Sequence, residues 1–277
     1  MTERIGIVSP GAMGSAIGRS LVTAGQRVAV ALEGRSPKTR ERAAAAGLED
    51  LGSVRDLAQC SDVLISIVPP ASALEVAGIL ATAIERGALV VDANAISPAR
   101  ARAVAAVLEG AGGIYVDGGI VGGPPRPGGR TDLFLSGPQA EELAARLTGD
   151  GLACTAIGAG PTDASALKMC HAAWSKGTSA LLIAIRAVAR RHGVEGPLAE
   201  LWGRVQPAVL ARSESEGSVA GRAWRWVDEM TEIARTFEDT GLPGDAAVGA
   251  ARLYERLVSF KDVEEPPTLD ELLASLG

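Results

Sequence analysis

The amino-acid sequence predicts an α/β protein: a doubly wound, largely parallel sheet over residues 1–160, then an all-helical domain over 161–277. Short β-branched runs alternate with alanine-rich segments of helical length up to about residue 158, the rhythm of βαβ units. Beyond Pro161 the strand-like runs stop and long helical segments follow one another. Aromatics are scarce, at 3% against 34 glycines, which favours closely packed helices and glycine-shaped turns.

Taken in order, "IGIV" (5–8) reads as the first strand and 13–24 as the helix after it. "RVAVAL" (27–32) is the second strand, with a helix near 37–46. "DVLISIVP" (62–69) and "ALVVDAN" (88–94) are apolar, β-branched runs, separated by a helix near 71–85 and followed by one near 98–110. "GIYVDGGIV" (113–121), "TDLFLSG" (131–137) and "ACTAIG" (153–158) complete the sheet, with a helix near 138–148. The second half reads as helices near 161–191, 197–214, 219–240 and 244–260. No biased linker separates the halves, so the first long helix joins them directly, and a cleft between them is where a ligand is expected.

Composition narrows the function. With 27 Lys and Arg against 33 Asp and Glu the net charge is −6, so the electrostatic footprint of a nucleic-acid binder is missing. Cys60, Cys154 and Cys170 have no paired spacing and no accompanying histidine cluster, which argues against a metal site or a disulfide framework. The N-terminus runs straight into a strand and no run of about 18 apolar residues suggests a membrane span. A soluble cytoplasmic protein acting on a small molecule is expected.

The first candidate site is "GIVSPGAMGSAIG" (6–18), which sets Gly11 and Gly14 between a strand and a helix start, with Ser9 where a G-x-G-x-x-G turn has its first glycine. Such glycines let a pyrophosphate approach backbone N–H groups at a helix N-terminus. Ser9, Pro10, Gly11, Ala12, Met13 and Gly14 are therefore candidate cofactor contacts; an ordinary strand-to-helix turn is the plainer alternative. After the second strand, Glu33 suits a ribose 2′-hydroxyl, as in an NAD enzyme, whereas Arg35, Ser36, Lys38 and Arg40 suit a 2′-phosphate. NADP is favoured, NAD remains open, and a solvated, charged helix start is the alternative. Asn94, at the carboxyl edge of the sheet, either reaches nicotinamide or substrate or fixes its loop.

The second candidate lies in "DASALKMCHAAWSKGTSALLIA" (163–184). Residues three, four, seven and eight apart share a helix face, so Lys168, His171, Ala172, Ser175 and Lys176 form one stripe. A half-buried lysine there either snorkels or gives and takes a proton while hydride moves to or from a nicotinamide. His171 is either a group that orients substrate or a satisfied structural residue, and Lys176 reads as structural or as a domain contact. Trp174, Trp224 and Trp226 read as helix-packing anchors.

Together these stretches resemble the β-hydroxyacid dehydrogenase family, relatives of 6-phosphogluconate dehydrogenase. "GIVSPGAMGSAIG" is similar to that family's G-x-G-x-M-G turn, and "IGAGPTDASALKMCHAA" (157–173) to its G-x-G-x-x-x-K-x-x-x-N helix, with Lys168 on the general acid or base. "SIVPP" (66–70), with Val68 and Pro69, and "VDANAISP" (91–98) sit where the family has loops over the nicotinamide. "VDGGIVGG" (116–123) takes the place of D-x-P-x-S-G-G, which makes Val121, Gly122 and Gly123 substrate-side candidates. "SPGAMG", "ASALKMCHAAWSKG" and "AWRWVDEM" resemble a subgroup with a distinct, poorly characterised C-terminal domain.

The departures from the family pattern bear on the substrate. Val121 stands where the resemblance has a carboxylate-holding serine, Ala172 replaces the asparagine, and in "VDEMTEIARTFEDTGLP" (227–243) Asp228 and Glu229 take the places of lysine and aspartate. Glu229 is either a solvated helix charge or a cleft residue. The resemblance thus implies an NADP-dependent oxidoreductase of a small polar carbonyl or alcohol compound, and an interleaved homodimer. Imine or amine chemistry on the same fold, and a nucleotide-sensing protein without hydride transfer, are the alternatives.

Overall fold

The computed structural model describes residues 3–261, 263 and 265–277, and the chain divides into two compact units, Met1–Met169 and Cys170–Gly277. The division falls inside the first long helix, not ahead of it at residue 160 as the change of sequence texture suggests. The first turns of that helix are hydrogen-bonded to the sheet and count with it.

In chain order the first unit contains β1 (Arg4–Ile7), α1 (Ala12–Thr23), β2 (Arg27–Val30), α2 (Pro37–Ala45), β3 (Glu49–Asp50), α3 (Val54–Gln59) and β4 (Val63–Ser66). It continues with α4 (Ala73–Ala81), β5 (Leu89–Asp92), α5 (Pro98–Gly110), β6 (Ile114–Val121), β7 (Thr131–Ser136), α6 (Ala140–Leu147) and β8 (Leu152–Gly158). These strands form one eight-stranded sheet in the order β3-β2-β1-β4-β5-β6-β7-β8. All neighbours are parallel except β6 and β7. The 122–130 loop between those two is too short for a crossover, which needs a dozen or more residues, so the chain turns back on itself there.

Helices cover both faces of the sheet, so its central strands β1, β4 and β5 are apolar on both sides. Ile5, Ile7, Val28, Val30 and Ile65 face a core with Ile17 and Leu21 of α1 and Leu143 of α6. Ala29, Leu64 and Val90 point the other way, toward Leu80 of α4 and Leu108 of α5. The strand order reverses between β1 and β4, and the crevice at such a switch point is where doubly wound sheets bind ligands.

The second unit is helical: the greater part of α7 (Asp163–Arg191), then α8 (Glu195–Val205), α9 (Pro207–Glu214), α10 (Ala220–Glu238), α11 (Asp245–Glu255) and α12 (Leu269–Ser275). The single helix expected over 197–214 is two, broken at Gln206, whose φ of −149° and ψ of 62° are not helical. Pro207 has no N–H to give and disfavours helical backbone in the residue before it. Likewise the helix expected over 244–260 stops at Glu255, with a separate 3-10 turn at Val258–Phe260.

Three elements escaped the periodicity argument because they are short: β3, α3 and α12. Both helices nonetheless start with a capping box, Ser53 with Asp56 and Thr268 with Glu271, a signal readable in the sequence. Among the described residues no helix is long and apolar enough to cross a membrane.

Candidate functional site

The turn between β1 and α1 separates two glycine roles. A Cβ on Gly14 would stand 2.3 Å from the Ser9 carbonyl oxygen, so this glycine is required by the protein's own packing. A Cβ on Gly11 would meet nothing within 4 Å. Gly11 is the N-cap of α1, no side chain caps that end, and the Ser15 hydroxyl is turned back to the Pro10 carbonyl at 2.8 Å. Open space in front of an uncapped helix N-terminus fits a diphosphate, which accepts from its N–H groups and lies at the positive end of its dipole. Ser9, Ala12 and Met13 are partly buried around the turn.

At the end of β2, Gly34 (φ +69°) turns the chain toward Arg35 and Ser36, and the Ser36 hydroxyl caps α2 by accepting from the Thr39 N–H at 3.3 Å. Arg35 is half-buried, while Glu33 and Lys38 are exposed. Arg40 braces the loop: its Nη2 donates to the Leu32 carbonyl at 2.6 Å and its Nε to the Arg35 carbonyl at 3.3 Å. Arg35 and Lys38 are thus the cations presented beside the end of β2.

The loops after β4 and β5 are stitched together by Asn94, which is buried. Its Oδ1 accepts from the Val68 N–H at 2.6 Å, its Nδ2 donates to the Ser66 hydroxyl at 3.2 Å, and its own N–H goes to Asp92 Oδ1 at 3.1 Å. The amide holds the Val68–Pro69 segment in place. Burial pushes the Asp92 carboxyl up to about 7, and the neighbouring Asp117 adds to the rise. Asp92 Oδ2 is buried without a hydrogen-bond partner among the described residues.

Asp117, paired with Asp92 across β5 and β6, is fully buried and anchors the start of α7. Its carboxylate accepts from the Ser165 N–H at 2.7 Å, the Ser165 hydroxyl at 2.5 Å, the Ser136 hydroxyl at 3.2 Å and the Tyr115 hydroxyl at 3.3 Å. Ser136 in turn accepts from the Ala164 N–H at 3.0 Å. Two otherwise orphaned N–H groups of the first helical turn are thereby satisfied. A Cβ on Gly119 would lie 2.6 Å from the Ala164 carbonyl oxygen and 3.1 Å from Lys168 Cβ, so a glycine in β6 is what lets the helix lie on the strand. Lys168, half-buried, is fixed by this contact one turn after the anchor. Val121 ends the same strand, and Gly122, at φ +109°, with Gly123 lines the turn beyond it.

Within the helical unit His171 and Asp228 are exposed, and Ala172 is buried in packing. Glu229 is not a solvated helix charge. It is buried and ion-paired with Lys176, whose ammonium also lies 5.5 Å from the centroid of the Trp226 ring. Trp226 meets Tyr254 edge-on with centroids 5.2 Å apart, and the Tyr254 hydroxyl donates to the Lys176 carbonyl at 2.6 Å. Trp224 stacks under Lys261 at 4.3 Å. Trp174 does not anchor packing within the chain: it is 68% exposed.

Asp92, Asp117, Ser136 and Ser165 did not stand out as site residues in the sequence. The available signal was a carboxylate set inside each of two apolar strand runs, "LVVD" and "IYVDGG", where an unpaired charge is costly.

Residues 4–147 match the family described as the NAD binding domain of 6-phosphogluconate dehydrogenase, and residues 189–257 match a domain of unknown function, DUF1932. The chain is similar to the conserved protein MTH1747, described as structurally similar to 3-hydroxyacid dehydrogenases, with 31% identity, a TM-score of 0.71, and coverage of 93% of this chain and 97% of that one. It shares its fold with 3-hydroxyisobutyrate dehydrogenase of Mycobacterium tuberculosis, solved with L-serine, at 19% identity, a TM-score of 0.70, and coverage of 100% and 99%. A reductive aminase from Aspergillus terreus, in complex with NADPH and ethyl levulinate, has the same fold at 18% identity and a TM-score of 0.60, with both chains fully covered.

Proposed function

Because the chain belongs to the family of the 6-phosphogluconate dehydrogenase NAD-binding domain, we propose that it is an NAD(P)-dependent oxidoreductase that moves hydride between NADP(H) and a small polar carbonyl or alcohol compound. The N–H groups at the start of α1 hold the diphosphate, with Gly11 leaving room for it. Arg35 and Lys38 hold the 2′-phosphate, and Ser36 orders their loop. Asn94 holds the Val68–Pro69 loop in position beside the nicotinamide.

When bound, the nicotinamide supplies or accepts the hydride. The chain's own part is the proton: in the reducing direction the Lys168 ammonium faces the oxygen that becomes an alkoxide, stabilises its charge and protonates it. The observation that carries this reading is the seat of Lys168, against Gly119 and one turn beyond the Asp117 anchor.

Imine reduction on the same scaffold is the second reading. Val121 and Asp228 favour it, since neither offers a cation or hydroxyl to a substrate carboxylate.

The test mixes the protein with NADPH and a panel of carbonyls and imines and follows nicotinamide absorbance. Carbonyl turnover that falls about 10²-fold in Lys168→Met, with NADPH affinity kept, supports the reading. Near-normal turnover in that variant overturns the role of Lys168, and turnover of imines alone selects the second reading. In Arg35→Ala, NADPH affinity falls much more than NADH affinity; tighter NADH binding by the unmodified protein overturns the NADP preference.

The working unit is proposed to be a homodimer formed through the helical units. Trp174, Leu181 and Val188 are 68%, 59% and 56% exposed and recur every seven residues along α7. That spacing is an apolar seam suited to a second helix. Around the helix it lies opposite Lys168, Ser175 and Ser179.

A further inference from the structure

The helical unit contains a polar cavity of about 290 Å³ that the proposed hydride chemistry does not use. Its volume suits a small molecule. Ser179 and Glu216 line it, with Lys176, Arg212, Arg222 and Trp226. Its cations exceed its carboxylates. Arg212 is half-satisfied by protein: Nη2 donates to the Ser175 carbonyl at 2.7 Å, and Nε stands 3.5 Å from Glu216 Oε1. Arg222 is exposed, its guanidinium 5.9 Å from the Trp226 ring centroid, and no carboxylate pairs with it among the described residues.

Glu216 is the unusual member, because it is only 3% exposed. Its Oε1 accepts from the Ser179 hydroxyl at 3.0 Å, but its Oε2 is buried with no hydrogen-bond partner among the described residues. An unmet carboxylate oxygen in a buried setting is costly, and a charged donor is its best partner. Burial pushes the Glu216 carboxyl up, a rise that an ammonium beside it would reverse.

We propose that this cavity binds a small zwitterion, its ammonium pairing with the Glu216 carboxylate and its carboxylate held by Arg222 and Arg212 beside Trp226. The site lies wholly within the helical unit and stands whether or not Lys168 is the proton donor. On α7, Ser175 and Ser179 are about 10 and 16 Å along the axis from Lys168, at 1.5 Å per residue.

β-Alanine, propionate and propylamine form a matched probe set, since the last two each lack one of the two charges. With the full-length protein, β-alanine is expected to give saturable binding by calorimetry and to shift the indole N–H resonance of Trp226. Propionate and propylamine should each bind about tenfold more weakly or worse. Glu216→Gln and Arg222→Ala should each weaken β-alanine by about tenfold while leaving NADPH affinity unchanged. Arg222 is on the surface, so its variant decides the matter even if Glu216→Gln folds poorly. The proposal is overturned if no probe moves the Trp226 resonance, if propionate or propylamine binds as well as β-alanine, or if Arg222→Ala binds β-alanine as the unmodified protein does.

Discussion

Ser165 gives both of its donors to Asp117, the backbone N–H at 2.7 Å and the hydroxyl at 2.5 Å, and so ties the first turn of α7 to β6. A carboxylate at a helix N-terminus also meets the positive end of the dipole, which adds to the two hydrogen bonds. Ser165→Ala removes one charge-assisted bond and is expected to cost about 1.5 to 3 kcal/mol in urea unfolding. If the anchor also seats Lys168, kcat should fall while NADPH affinity holds. An unchanged unfolding midpoint would mean that Asp117 does not secure the helix.

The two glycines of the first turn should come apart experimentally. Gly14→Ala forces a methyl against the Ser9 carbonyl and is expected to lose roughly 1 to 3 kcal/mol of stability. Gly11→Asp meets no protein atom and adds a favoured N-cap, so stability should hold or rise. Its carboxylate, however, would repel a diphosphate at the helix end, and NADPH affinity should collapse. Equal NADPH binding by Gly11→Asp and the unmodified protein would remove the diphosphate from this turn.

Asp92 makes stability depend on pH in a direction opposite to that of a salt-bridged carboxylate. Its carboxyl ordinarily titrates at 3.8, and in the fold burial pushes it up to about 7. Between those values the unfolded chain gives up a proton that the folded chain keeps, so stability falls as pH rises from about 4 to 7 and then levels off. The loss is on the order of 1.4 kcal/mol per pH unit at most. Asp92→Asn should flatten this part of the profile, because an amide oxygen still accepts from the Asn94 N–H. Urea midpoints at pH 5 and pH 7.5 for both proteins test it, and parallel changes would contradict the assignment.

The apolar seam on α7 predicts an association that depends on Trp174 and Leu181. Light scattering at micromolar protein should give a dimer mass, and Trp174→Asp with Leu181→Asp should give a monomer that still binds NADPH through the first unit. A monomeric mass for the unmodified chain would count against the seam.

Much of this molecule is legible along the chain because its information is local. β-Branched runs buried on both faces, the glycine turn after "IGIV" and the loss of strand signals after Pro161 depend on neighbours in sequence, so the doubly wound sheet, the glycine turn between its first strand and helix, and the helical second half are legible directly. Lys168 stands out in the sequence by its setting in an apolar helix and by the family resemblance. What the sequence could not reveal rests on contacts between residues far apart in the chain. Asp117 finds Ser165 48 residues away, Asn94 finds Val68 26 residues away, and Glu229 leaves solvent because Lys176 waits on another helix. Trp174 reads in the sequence as a helix-packing anchor and is exposed, since a helical period says which residues share a face but not whether that face is covered. A buried charge or amide has no sequence period of its own; its partner is chosen by the tertiary fold, which removes water and leaves only the donors and acceptors that packing brings within reach.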